Sequence, residues 1–198
     1  MREIEQTMAD DRTSASPYHL KRMVVMVGMM GAGKTAVGRA LAAKLGVPFL
    51  DSDAEIEAAA NLSVPEIFER DGEPFFRRRE SEVIARLLSS TRGILSTGGG
   101  AFLAEDNRKL ISEKGVSVWL NADLELLWNR VKHKETRPLL RTANPKGTLT
   151  DIYNARVPLY QLADLSVKCD AGLSIDAMAD RVIETLATRP DVLERCDA

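Results

Sequence analysis

Residues 23–35 read Met-Val-Val-Met-Val-Gly-Met-Met-Gly-Ala-Gly-Lys-Thr. The first five form a continuous apolar run, the text of a strand buried on both faces. Residues 28–35 fit the pattern G-x-x-x-x-G-K-[ST] throughout and lead into helical spacing from Lys34 to Leu45, stopped by Gly46. A strand, a turn of small residues and a helix in this order make a phosphate cradle. Backbone N–H groups from Gly31, Ala32, Gly33, Lys34, Thr35 and Ala36 converge on phosphate oxygens, and the helix N-terminus adds a favourable dipole. In such a cradle the lysine, Lys34, reaches the β- and γ-phosphates and the hydroxyl of Thr35 ligates Mg²⁺. The chain is expected to bind a nucleoside triphosphate.

Outward from this stretch, short apolar runs at 47–50, 93–96, 116–120 and 165–168 alternate with helical text at 54–60, 72–88, 106–113, 123–131, 151–162 and 174–186. Ser63 before Val64-Pro65 reads as an N-cap ahead of a further helix. Strands alternating with helices predict an α/β fold: a five-stranded parallel sheet flanked by helices. Residues 133–148 are polar and broken by Pro138, Pro145 and Gly147, which reads as a mobile functional loop.

The 198 residues suit one domain with modest trimmings. Twenty-seven Lys and Arg against 29 Asp and Glu give a net charge of −2, against the basic excess of a dedicated nucleic-acid binder. No apolar stretch approaches the ~18–20 residues of a membrane span. Cys169 and Cys196 form no C-x-x-C, and His19 and His133 stand alone. This is the pattern of a reduced, cytoplasmic protein whose metal, if any, takes oxygen ligands. Residues 1–22 lack an apolar segment and carry Glu3, Glu5, Asp10 and Asp11, so they read as a disordered or weakly docked tail rather than a targeting signal. Residues 189–198 read as a frayed second tail, leaving 23–188 as the body. With no exposed apolar stripe in the text, a monomer is expected.

Other phosphate-loop classes lack their marks here. There is no NKxD for guanine and no LSGGQ, and the later strands end in Ser96-Thr97-Gly98 and Leu120-Asn121 without an acid. The acids close the second strand instead, in Phe49-Leu50-Asp51-Ser52-Asp53. One carboxylate there can help hold a hydrated Mg²⁺ and the other can accept from a substrate hydroxyl, although Asp53 also suits a helix N-cap. Arg77, Arg78 and Arg79 point about 100° apart on a helix, so they either divide their work or solvate a face. Gly98-Gly99-Gly100 marks either backbone close to a ligand or a flexible turn.

In order, GMMGAGKT, FLDSD, GEPFFRRRE, STGGGA, TRPLL and ARVPLYQLAD resemble the shikimate kinase family over nearly the whole body. The resemblance implies a nucleoside-monophosphate-kinase-like fold with a helical substrate-binding segment at about 52–90 and a lid at about 132–147. It implies transfer of the ATP γ-phosphoryl group, with Mg²⁺, to the 3-hydroxyl of shikimate, on the way to chorismate and the aromatic amino acids. It gives Lys34 and Thr35 the phosphate and metal roles, Asp51 the metal, and Asp53 the substrate hydroxyls and the part of base. Arg77, Gly99 and Arg156 become shikimate contacts, Arg137 a lid arginine on the ATP phosphates, and Arg130 a neighbour of the adenine. An adenine-contacting loop is expected near 171–174. A kinase resembling gluconate kinase, or a nucleotide-binding regulatory module with a decayed site, are the competing readings. Asp53, Arg77 and Arg156 argue against decay, because a nucleotide sensor needs none of them.

Overall fold

The computed structural model describes residues 16–133 and 138–196. Its elements are β1 (Tyr18–Leu20), β2 (Met23–Val27), α1 (Lys34–Leu45), β3 (Phe49–Asp51), α2 (Ser52–Ala60), α3 (Val64–Asp71), α4 (Glu73–Ser90), β4 (Ile94–Ser96), α5 (Glu105–Lys114), β5 (Gly115–Ala122), α6 (Leu124–Val131), α7 (Pro145–Tyr160), β6 (Leu165–Cys169), α8 (Ile175–Ala187) and β7 (Leu193–Arg195). All five residues of β2 are buried, because β2 is the middle strand of a parallel sheet ordered β3-β4-β2-β5-β6. The edge strand β6 alternates between exposed and buried positions instead. β3 begins only after Pro48, which has no N–H to donate; its carbonyl accepts from the Ile94 amide at 2.9 Å.

Register fixes the site. Asp51 pairs with Ser96, and Ser96 with Met26, so the acid of β3 and the ends of β4 and β2 lie level at the carboxyl edge of the sheet. Strand order reverses there, with β2 between β4 and β5, and ligands of open parallel sheets bind in that crevice. α3 opens with Pro65 in its first turn and a capping box in which Ser63 and Glu66 satisfy each other's backbone amides.

Three sequence expectations need correction. Residues 1–22 and 189–198 are not wholly tails: β1 pairs antiparallel with β7, matching Leu20 with Leu193. The Lys21 amide donates to the Val192 carbonyl at 2.8 Å, and Leu20, Val192 and Leu193 are buried. Three-residue strands carry too little alternation to be read locally. The helix expected from 151 starts at Pro145, with Asn144 as N-cap accepting from the Gly147 amide at 3.0 Å. The loop therefore ends at Asn144 rather than at 147 or 148. Arg137, at the centre of the expected lid, lies outside the described residues. Among those described, no helix is long and apolar enough to cross a membrane.

If the small terminal sheet belongs to the cooperative unit, Leu20→Ala should lower the unfolding free energy by about 2–3 kcal/mol. Urea unfolding measures it, and a loss below about 0.5 kcal/mol would show that the clasp opens separately.

Candidate active site

The loop between β2 and α1 turns on glycines in the left-handed region, Gly31 at φ 80° and Gly33 at φ 97°. At Gly31 a side chain is also barred by space, since a Cβ would come 2.7 Å from Val131. Lys34, 9% exposed as a residue, donates through its ammonium to the carbonyls of Gly28 and Met29 at 2.9 and 3.0 Å. Arg130 of α6 donates to the carbonyls of Gly31 and Ala32, each at 3.2 Å. It braces the loop and lines with it a cavity of about 530 Å³. Leu173, Ser174, Ile175 and Met178 line that cavity too, so the stretch expected near 171–174 does contribute to it, shifted towards α8.

The two aspartates divide their work. Asp51 is the N-cap of α2: its Oδ1 accepts from the amides of Asp53 and Ala54 at 3.1 and 3.3 Å. Its Oδ2 accepts from the Thr35 hydroxyl at 3.3 Å, and the Ser96 hydroxyl lies 3.3 Å from Thr35 on another side. This donor set is all oxygen, the kind a hard divalent cation takes alongside phosphate oxygens. Among the described residues no group of three or more His, Cys, Asp and Glu could hold a metal by itself. Because Asp51 does the capping, the Asp53 carboxylate faces the cavities. Burial and the Asp51 charge push its proton affinity up, against the Lys34 ammonium.

Beyond Asp53 a second cavity of about 520 Å³ opens. Its apolar wall includes Val64, Pro65, Phe68 and Phe76, and its cations are Arg77 and Arg156. Met30, Asp53, Gly98 and Gly99 line both cavities. Gly98 and Gly100 make room for charged groups, and Gly99 lies against one. A Cβ on Gly98 would stand 2.9 Å from Asp53 Oδ1 and 3.0 Å from Glu80 Oε1, one on Gly99 3.5 Å from Arg156 Nη1, and one on Gly100 would overlap the Arg77 guanidinium. None of the three has a positive φ, so space and not backbone freedom explains Gly98 and Gly100. Of the three arginines only Arg77 faces this cavity; Arg78 lies over the Phe75 ring, and Arg79 pairs with Glu82 at 2.6 Å.

Glu80 and Tyr160 are the residues that sequence reasoning missed. Glu80 is 1% exposed and accepts from Arg77 Nη1 at 2.7 Å, while Arg77 also donates to Glu73 at 3.1 and 3.2 Å. The signal was there: Glu80 falls on the apolar face of α4 with Phe76, Ile84 and Leu87, where a charge needs a reason. Burial pushes its carboxyl up to about 6, with Arg77 opposing. Glu80 Oε1 and Asp53 Oδ1 are both buried without a hydrogen-bond partner.

A family model described as shikimate kinase matches residues 30–187. A shikimate kinase of Ruegeria pomeroyi is 73% identical over 175 residues, 88% of this chain and 90% of that one. Among solved structures, shikimate kinase from Acinetobacter baumannii in complex with shikimate matches with a TM-score of 0.80 and 39% identity, covering 84% of this chain and 93% of that one. A gluconokinase from Sinorhizobium meliloti, at 18% identity and a TM-score of 0.54 over 85% of this chain and 93% of its own, shares the fold alone.

Glu80 gives a pH test of the buried cluster. It binds its proton near pH 6 when folded and near 4.5 when unfolded. Its contribution to stability is therefore full below about pH 4.5 and lost as pH rises through about 6. Glu80→Gln has no such titration, so its stability minus that of the wild type should rise by about 2 kcal/mol from about pH 4 to about pH 8. Urea unfolding across that range reads it; a flat difference would remove the buried carboxylate from the account.

Proposed function

Since this chain belongs to the shikimate kinase family, an ATP-dependent kinase family whose activity it shares, we propose that its own residues perform the transfer as follows. ATP lies along the phosphate loop with its γ-phosphoryl end towards Asp53, and shikimate lies in the second cavity with its carboxylate on Arg77 and Arg156. The observation that carries this reading is the position of Asp53, the carboxylate that lines both cavities. A reaction joining two ligands needs its acceptor group at that junction.

The 3-hydroxyl oxygen of shikimate bonds to the γ-phosphorus as the bond to the ADP oxygen breaks, and the hydroxyl proton passes to the Asp53 carboxylate. The raised proton affinity of Asp53 suits it to that proton. Its buried, unpartnered Oδ1 is an acceptor that a substrate hydroxyl would satisfy. Lys34 supplies a positive charge to the transferring group, and Gly99 offers backbone to the substrate. Guanidinium suits the carboxylate because its planar fork donates two parallel charge-assisted bonds. Mg²⁺, bound by Thr35 and Asp51 with the phosphates, would neutralise charge on the β- and γ-oxygens. Positioning and charge carry the rest, as phosphoryl transfer asks little covalent chemistry of a protein. For Arg137 and for Arg130 beside the adenine, the support is the family resemblance. The lack of an exposed apolar stripe in the sequence supports a monomer, and dependence on ATP supports a cytoplasmic site of action.

Coupled assay of ADP release with ATP and Mg²⁺ should show turnover with shikimate and little with quinate or gluconate; preference for gluconate would overturn the substrate. Asp53→Asn should lower kcat by ~10²–10⁴ while ATP affinity by calorimetry stays near wild type. Arg77→Lys and Arg156→Lys should each raise the KM for shikimate strongly and that for ATP little. Arg78→Lys and Arg79→Lys should change neither.

A further inference from the structure

Tyr160, the last residue of α7, is 0% exposed and among the largest fully buried side chains. Its ring stacks on Phe102 (centroids 6.5 Å apart, planes 17° apart) and on Trp119 (6.3 Å, 23°). Packing alone would be served equally by phenylalanine, which brings no hydroxyl that must find a partner. The Tyr160 hydroxyl donates outside its own helix, to the carbonyl of Gly99. Arg156 sits one helical turn earlier and lies against the same glycine from the cavity side, 3.5 Å from where a Cβ would be. The following residues of this loop are held by other donors: Asn107 to the Ala101 carbonyl at 2.9 Å, and Arg108 to those of Phe102 and Leu103 at 2.9 and 2.7 Å. Gly99 has no side chain to fix its own peptide, and Tyr160 does it instead.

We infer that Tyr160 is a positioning residue for the acceptor substrate: its hydroxyl sets the orientation of the Gly99 peptide and ties that peptide to the helix that carries Arg156. The peptide is trans, so holding the Gly99 carbonyl towards the aromatic stack leaves the Gly100 N–H pointing away from it. The backbone face offered to the substrate and the guanidinium beside it then move together. The environment agrees with a hydroxyl kept as a donor: burial pushes the phenol's proton affinity up, with Arg156 and Arg77 opposing. Gly99 lines both cavities but Arg156 lines only the second, so the effect should fall chiefly on the acceptor substrate.

The inference rests on the proposed placement of shikimate at Arg156 and Gly99, and Arg156→Lys serves as its control. Tyr160→Phe keeps the stack and removes only the hydroxyl. It should raise the KM for shikimate about tenfold, as when the set orientation of the Gly99 peptide falls to roughly a tenth of the free enzyme. The KM for ATP should stay within about twofold, kcat within about threefold, and the melting temperature within a few degrees. Arg156→Lys raising the KM for shikimate while Tyr160→Phe leaves it unchanged would overturn the role of Tyr160 and spare the pocket. If neither variant moves it, the pocket assignment itself falls. A Tyr160→Phe chain that raises both KM values together, or that no longer melts cooperatively, would overturn the inference by showing that the hydroxyl serves the fold.

Discussion

Four charged side chains of one pocket meet the backbone at Gly98, Gly99 and Gly100, and no side chain there can give way. Asp53 and Glu80 close on the first glycine, Arg156 on the second and Arg77 on the third. Everything else about the pocket follows from that crowding. Two carboxylates near one Cα could not both stay ionised in a low dielectric without nearby cations, and the guanidiniums supply them. Burial pushes up the proton affinities of both acids, with the Asp51 charge adding to it at Asp53 and the Asp53 charge at Glu80. A methyl group at Gly98 or Gly100 would have to displace a charged group, whereas at Gly99 it would only touch Arg156.

That arrangement explains why a buried charge is kept on α4. Glu80 occupies a core position, where leucine would pack without desolvation. Replacing a buried ion pair by apolar groups is often neutral or stabilising, so stability is a poor account of it. Arg77, by contrast, has reason to need a fixed partner. A long side chain loses rotamer freedom on binding an anion, and one already held by Glu80 at 2.7 Å and Glu73 at 3.1 Å loses less. The α4 apolar face therefore carries one acid because the pocket, and not the core, needs it.

Much of this was legible in the sequence, and what was not has a common cause. The phosphate loop, the five sheet strands and the helices after each are local patterns, and residues 28–35 fold as the strand, loop and helix that their letters announce, whereas at 49–53 the helix cap is Asp51 and not Asp53. The pairing of Tyr18–Leu20 with Leu193–Arg195 joins opposite ends of the chain through two three-residue strands, and no local period announces it. The start of α7 was hidden because Lys146-Gly147-Thr148 lacks apolar spacing, although Asn144-Pro145 is a sound cap and first turn. The meaning of the glycine run was equally hidden. Its reason lies in Asp53, Arg77, Glu80 and Arg156, which come from three different helices.

Topology gives those residues their meeting place. Asp53 begins the connection from β3 to β4, Arg77 and Glu80 lie in its last helix, and Arg156 lies in the connection from β5 to β6. β4 and β5 flank β2 on opposite sides, so the two connections can face each other only across the carboxyl end of β2, where the phosphate loop begins. The cations for the acceptor thus arrive from both sides of the strand that delivers the phosphate cradle. Neither connection forms the second cavity alone. A chain with α4 docked but α7 displaced would retain the cradle, Asp53 and Arg77, and would still lack Arg156 and the hydroxyl that orients Gly99. The phosphate site is local to one strand–loop–helix unit, whereas the acceptor site exists only once both halves of the sheet have closed around β2.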